Sequence, residues 1–172
     1  LCYDFSDIAL LNGALTHRSF INENQDLKCE DNERLEFLGD AVLQLCVSDI
    51  LIKQFPYHSE GQLSKLRASL VNEQPLAMVA LDFHIGDFIL LGKGEEASGG
   101  RAKSSILADA FEAVTAAIYL DKGYEKAFSF INNIFNPRIE AWGKDPVYED
   151  YKSRLQELCQ SRFKTIPKYE LM

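Results

Sequence analysis

The stretch that decides the fold runs from residue 33 to residue 43 and reads ERLEFLGDAVL. Its acidic residues Glu33, Glu36 and Asp40 are spaced i, i+3 and i+7, which places all three on one face of an α-helix. The other positions, and those that follow as far as Phe55, are mostly apolar, so this helix should be buried on most sides. Ionised carboxylates in such surroundings are costly unless they are paired or bind a metal ion.

A simpler explanation covers part of this acidic trio. Acidic side chains in the first turn of a helix gain about 0.3–1 kcal/mol from the helix dipole. That accounts for Glu33 and partly for Glu36, with Asp31 or Asn32 as the N-cap. It accounts poorly for Asp40, which lies two turns into the helix. The trio alone therefore leaves a helix-dipole role and a metal site both open.

A second apolar stretch, SILADAFEAVTAA at residues 105–117, carries Asp109 and Glu112 at i and i+3. Asp109 could be an N-cap, but the apolar pattern begins earlier, near Ser104. Two apolar helices with carboxylates on one face indicate an inward-facing cluster of oxygen ligands, which suits Mg²⁺ or Mn²⁺. Metal ions held in this way activate water and stabilise the leaving oxygen in phosphodiester cleavage. The two stretches together favour a metal site.

The rest of the chain is also predicted to be helical, so the fold class is all-α. Helical patterns cover residues 5–15, 33–55, 63–72, 75–81, 105–120 and 124–135. Ser59 and Gln62 have capping-box spacing ahead of the third helix, and Lys122-Gly123 predicts a helix stop, with Pro137 after the last helix. Segments 22–31 and 92–100 are predicted to be loops. Segment 84–91 is compatible with either an extended or a helical conformation.

The charge of the chain is unevenly distributed. The net charge is −8 over 172 residues, which by itself argues against a nucleic-acid-binding protein. Residues 144–172, however, carry six Lys or Arg and five Asp or Glu, so the acidic balance lies before them. Its densest part, residues 23–40, holds seven acids and two basic residues. Such a cluster either faces water or holds cations.

The composition also bears on where the protein works. No apolar run reaches the roughly 18–20 residues that span a bilayer, and the N-terminus lacks the pattern of a signal peptide. None of the four cysteines forms a CxxC pair, which is typical of reduced thiols rather than disulfides or a zinc site. We therefore expect a cytoplasmic protein without a membrane partner.

Three segments resemble a known family. Residues 33–43 resemble the signature of ribonuclease III and show no departure from it. THRS at 16–19 and GRAKSSILADAFEA at 100–113 resemble two further family segments. The resemblance covers essentially the whole chain, in order, and an eleven-residue match at this spacing is highly specific. It implies a bacterial-type ribonuclease III endonuclease domain at residues 1–143.

This resemblance implies an activity and a site. The activity is hydrolysis of phosphodiester bonds in double-stranded RNA, leaving 5′-phosphate and 3′-hydroxyl ends, in rRNA and mRNA processing. The implied ligands of Mg²⁺ or Mn²⁺ are Glu36, Asp40, Asp109 and Glu112. Asp40 and Glu112 are also implied to be catalytic. Glu33 and Glu60 match two further acidic family positions with catalytic roles, although Glu60 is equally explained as the start of a capped helix.

The resemblance also implies partners. Phe37 matches a position that projects into the partner subunit of a symmetric homodimer, which spans both strands of the RNA duplex. The alternative for Phe37 is an ordinary core residue.

The tail of the chain resembles a second module. Residues 144–172 are predicted to be a linker and the beginning of an α+β double-stranded-RNA-binding domain, cut off at Met172. Residues 150–160, DYKSRLQELCQ, resemble the first helix of that domain, which contacts the RNA minor groove. The candidate RNA-binding residues on it are Ser153, Gln156, Glu157 and Gln160. A solvated helix face is the alternative.

Two other functional classes predict different residues. A catalytically silent ribonuclease III-like scaffold would lack a metal carboxylate, whereas all four are present. An unrelated all-α metal phosphohydrolase would usually need His-Asp pairs, and none of the three histidines stands beside an Asp. His17, within the THRS segment, is interpreted as structural rather than catalytic.

Overall fold

The computed structural model describes residues 3–26, 29–142, 159 and 162–165. Within these residues the chain forms seven α-helices, two short 3₁₀ turns and no strand, which confirms the predicted all-α class. The helices are α1 (Ile8–Ala14), α2 (Arg18–Glu23), α3 (Glu33–Gln54), α4 (Glu60–Val71), α5 (Glu73–Asp82), α6 (Lys93–Ala97) and α7 (Ser104–Trp142). None of these helices is long and apolar enough to cross a membrane.

The backbone divides into two compact units, Leu1–Asn136 and Pro137–Met172. All the acidic residues predicted at the site lie in the first unit. The four candidate RNA-binding residues of the tail, Ser153, Gln156, Glu157 and Gln160, lie outside the described residues.

The core of the first unit contains one face of α3 and most of α7. Their fully buried side chains include Leu43, Val47, Leu107, Phe111, Ile118, Ile131 and Phe135. Burial of apolar surface stabilises the fold by roughly 25 cal/mol per Å², so these two helices supply much of the driving force. The carboxylates therefore stand on two helices that contribute many buried side chains to this core.

Helices α3 and α7 touch backbone to backbone at Gly39. A Cβ atom at Gly39 would lie 1.8 Å from the carbonyl oxygen of Glu112 and 2.4 Å from its carbonyl carbon. Only a residue without a side chain allows this approach. Gly39 lies between Glu36 and Asp40 on α3, so the contact brings both carboxylates beside Glu112.

The predicted capping box and the predicted helix stop at Lys122-Gly123 are confirmed. The capping box of α4 is present in both directions, with Gln62 N–H donating to Ser59 Oγ and Ser59 N–H donating to Gln62 Oε1. Helix α4 begins at Glu60, three residues earlier than predicted, because the capped first turn is itself helical. The helical path of α7 is broken at Lys122 and at Gly123, where φ is 76°.

Three predicted boundaries are wrong. Pro137 lies inside α7 instead of following a helix. The predicted loop at 92–100 contains α6, and α2 extends to Glu23 inside the other predicted loop. Tertiary contacts explain the differences at α2 and α6, because the carboxylate of Glu23 accepts the free N–H groups of Lys93 and Gly94 at 2.9 and 3.2 Å. A hydrogen bond between distant segments leaves no local signal in the sequence.

Candidate metal centre

Three carboxylates from two helices converge in the first unit. Glu36 of α3 and Asp109 and Glu112 of α7 each place one oxygen within 4.8 Å of the others. All three side chains are half-buried. The i, i+3 spacing on α7 puts Asp109 and Glu112 on one face, and the Gly39 contact brings Glu36 to that face.

Asp40, the fourth predicted ligand, stands beside this group of three. It lies one turn after Glu36, and both of its oxygens accept hydrogen bonds from Gln44 Nε2, at 2.8 and 3.0 Å. Its negative charge raises the pKa of both Glu112 and Glu36. Asp40 is therefore near enough to act electrostatically on both residues.

Burial and mutual repulsion make the carboxylates hard to ionise together. Burial, and then repulsion from Asp40, Asp109 and Glu36, raises the pKa of Glu112 from its ordinary 4.5 to about 8. Burial likewise raises the pKa of Glu36 and of Asp109, reinforced by neighbouring acids, while His17 partly opposes the shift at Asp109. A cation would relieve this repulsion.

The donor set fits a hard divalent cation. It consists of carboxylate oxygens only, which are the ligands that Mg²⁺ and Mn²⁺ prefer. In the described part of the chain, none of the four carboxylates forms an ion pair with Lys or Arg. Among the described residues, no Lys or Arg ion pair therefore balances the excess negative charge.

The raised pKa of Glu112 predicts how stability depends on pH. In the folded chain Glu112 retains its proton up to about pH 8. In the unfolded chain Glu112 loses its proton near its ordinary pKa of 4.5. The resulting stabilisation is complete below the unfolded pKa and is lost as the pH rises through about 8. We expect the melting temperature in a chelator to fall between pH 5 and pH 9, with a smaller fall in Glu112→Gln.

The control is Glu125→Gln, which makes the same change at an exposed position of α7. It should keep the pH dependence of the parent. If the melting temperatures of the parent and of Glu112→Gln fell by the same amount between pH 5 and pH 9, a strongly raised pKa at Glu112 would be contradicted.

The structure places the two further acids apart from this group. Glu33 is half exposed and pairs with Arg18, whose Nη1 lies 2.7 Å from its Oε1. Its charge still raises the pKa of Glu36. Glu60 lies in the first turn of α4, accepts a hydrogen bond from Ser64 Oγ at 2.8 Å, and lines a separate cavity of about 360 Å³.

Phe37 is not a core residue in the single chain. Its side chain is 81% exposed. The exposed apolar residues Ala41, Leu45 and Ile52 follow it on the same face of α3. We call Phe37, Ala41, Leu45 and Ile52 the α3 stripe. Exposed apolar residues grouped on one helix face are typical of interaction surfaces.

Sequence reasoning missed the contacts that Gly39 and Gln44 make. Gln44 follows Asp40 by four residues, and such pairs interact on helix surfaces, so its spacing was a usable signal. The close approach at Gly39 involves a distant segment of the chain, so only the tertiary structure shows it.

Comparisons with known proteins agree with this architecture. Residues 7–138 match the family model described as Ribonuclease-III-like. The chain is 47% identical over 175 residues to Ribonuclease 3 of Syntrophobacter fumaroxidans, an alignment covering 99% of this chain and 72% of that protein. It is 48% identical over 171 residues to Ribonuclease 3 of Borreliella burgdorferi, covering 99% of this chain and 69% of that protein.

A solved structure is similar as well. It is the nuclease domain of ribonuclease III from Campylobacter jejuni, described for structural flexibility in a region involved in dimer formation. The TM-score is 0.70 at 48% sequence identity, over 78% of this chain and 92% of that domain. The family match and the curated relatives together show that this chain belongs to the ribonuclease III family and is an endoribonuclease.

Proposed function

We propose that this endoribonuclease cleaves double-stranded RNA by a divalent-metal mechanism. The observation that carries the proposal is the convergence of Glu36, Asp109 and Glu112 within 4.8 Å, with Asp40 beside them. Four half-buried carboxylates with raised pKa values in three of them are unfavourable in an empty site. A bound Mg²⁺ or Mn²⁺ would offset that cost.

Glu36, Asp40, Asp109 and Glu112 would hold the ion. When bound, a divalent ion activates water and stabilises the leaving oxygen of a phosphodiester. Glu112 must give up its proton on binding, because carboxylate ligands bind metal in the ionised form. Asp40 and Glu112 come from different helices, so the packing of α3 against α7 sets their separation. In this hydrolysis the oxygen of a water molecule would bond to phosphorus as the bond between phosphorus and the 3′ oxygen breaks. The 3′ oxygen would take up a proton, which leaves a 5′-phosphate and a 3′-hydroxyl.

The test is incubation with a long RNA duplex and with either single strand, each with Mg²⁺ or with excess EDTA. We expect the duplex alone to be cut, only with Mg²⁺, and Mn²⁺ to restore cutting after EDTA. Ca²⁺ should support RNA binding better than cleavage. Cleavage at the full rate in EDTA would contradict the metal mechanism, and equal cleavage of single strands would contradict the duplex preference.

We also propose that the enzyme acts as a homodimer through the α3 stripe. An isolated chain exposes this stripe to water, which is unfavourable. A second copy could cover it symmetrically, since a two-fold interface uses the same patch on both subunits. The similar Campylobacter jejuni domain has a region involved in dimer formation. A symmetric dimer would present one metal site to each strand of a duplex.

Phe37→Glu should weaken the dimer strongly. We expect dissociation to become easier by at least about 30-fold, because a central aromatic residue typically contributes about 2 kcal/mol or more to an interface. Sedimentation across a concentration series measures the change. Phe88→Glu is the control, since Phe88 is 65% exposed but lies outside α3. A parent chain that sediments as a monomer of 19.5 kDa at micromolar concentration would contradict the dimer.

We further propose roles for the other acidic residues and for the tail, together with natural substrates and a location. Glu33 and Glu60 would line the surface on which the RNA is cleaved. Ser153, Gln156, Glu157 and Gln160 would contact the minor groove of the RNA. We propose rRNA and mRNA precursors as substrates and the cytoplasm as the location. The location is supported by free thiols at Cys29, Cys46 and Cys159.

A further inference from the structure

We propose that Gln44 is a positioning residue for the carboxylate of Asp40. Gln44 follows Asp40 by one helical turn on α3, so their side chains are neighbours on the helix surface. Gln44 Nε2 lies 2.8 Å from one Asp40 oxygen and 3.0 Å from the other. The inference rests on the proposed metal site and extends it to a residue that is not a ligand.

The two hydrogen bonds restrict how the carboxylate can turn. The terminal torsion of an Asp side chain is broad and prefers no single orientation strongly. Contact of one amide nitrogen with both oxygens limits rotation about that torsion. An ionised carboxylate has roughly four lone-pair sites, so the amide orients Asp40 and leaves sites free for a cation.

The negative charges around Asp40 explain why its carboxylate needs a hydrogen-bond donor such as Gln44. The negative charge of Asp40 raises the pKa of both Glu112 and Glu36. When these groups ionise, as metal binding requires, the same repulsion pushes the Asp40 carboxylate away from them. Among the described residues, the hydrogen bonds to the Asp40 side chain come from Gln44. A neutral amide opposes the repulsion without adding a positive charge that would compete with a metal ion.

An ordinary surface pair would behave differently. A Gln–Asp pair at i, i+4 stabilises a helix slightly, and its loss would not alter affinity for a cation. Groups that orient metal ligands, by contrast, typically change metal affinity by about 10–100-fold when they are removed. Metal affinity in the absence of RNA therefore separates a positioning role from a merely structural one.

The test measures free Mn²⁺ by electron paramagnetic resonance during titration of the RNA-free chain. We expect Gln44→Leu to raise the dissociation constant about tenfold, with a melting temperature close to that of the parent. Gln44→Asn keeps an amide on a shorter side chain, so its dissociation constant for Mn²⁺ should lie between those of the parent and Gln44→Leu. Gln54→Leu makes the same change at an exposed position of α3, about 15 Å further along, and should bind Mn²⁺ like the parent.

Asp40→Asn distinguishes failure of this inference from failure of the metal site. If Asp40→Asn weakens Mn²⁺ binding and both Gln44 variants bind like the parent, the positioning role is wrong and the site stands. If Asp40→Asn also binds like the parent, the proposed ligand set is wrong. Should Gln44→Leu fail to fold, Gln44→Asn with the affinity of the parent still overturns the inference.

Discussion

Replacing Glu112 by Gln should abolish RNA cleavage while leaving the fold and RNA binding intact. The change preserves the shape of the side chain and removes one negative charge from the proposed ligand set. A metal ion supplies several kcal/mol of transition-state stabilisation, and about 1.4 kcal/mol corresponds to a factor of ten in rate. Loss of a ligand charge should therefore slow cleavage by about 10³-fold or more.

The fold should survive because Gln resembles the protonated form of Glu112. With a pKa of about 8, Glu112 is mostly uncharged near neutral pH in the absence of metal. Single-turnover cleavage of a labelled duplex in Mg²⁺ measures the rate, and a gel shift in Ca²⁺ measures binding. Glu125→Gln, exposed on the same helix, should cut at the parent rate. Normal cleavage by Glu112→Gln would show that Glu112 is not a ligand.

Replacing Gly39 by Ala should destabilise the protein and remove its activity together. The added methyl group would lie 1.8 Å from a backbone oxygen of α7, and a backbone atom cannot move aside as a flexible side chain does. Overpacking a core typically costs about 1–3 kcal/mol, and this clash lies at or above the upper end. Separation of α3 from α7 would also draw Glu36 and Asp40 away from Glu112.

Thermal unfolding and cleavage assays measure both effects. A loss of about 3 kcal/mol would lower the melting temperature by roughly 6–12 °C in a chain of this size. Gly61→Ala is the matched control, because a Cβ atom at Gly61 meets nothing within 4 Å and Ala favours helix over Gly. It should melt at or above the parent temperature. A Gly39→Ala protein as stable and active as the parent would contradict the close approach.

The sequence by itself determined the elements and the chemistry of the candidate site. Apolar spacing predicted the long helices α3 and α7, because burial of one face follows directly from helical periodicity. The same periodicity placed Glu36 with Asp40, and Asp109 with Glu112, on common faces. The oxygen-only ligand type then indicated a hard divalent cation. These inferences need only contacts within one helix, which local sequence encodes.

Tertiary structure alone decided which residues meet. The joining of the two carboxylate pairs depends on backbone contact between Gly39 and Glu112, which are 73 positions apart in the chain. The short helix α6 begins at Lys93 and Gly94, whose N–H groups donate to the carboxylate of Glu23 in a distant segment of the chain. The exposure of Phe37 follows from which side of α3 the core occupies. Each of these features depends on packing between elements. The spacing of residues within one helix does not predict which other elements that helix contacts.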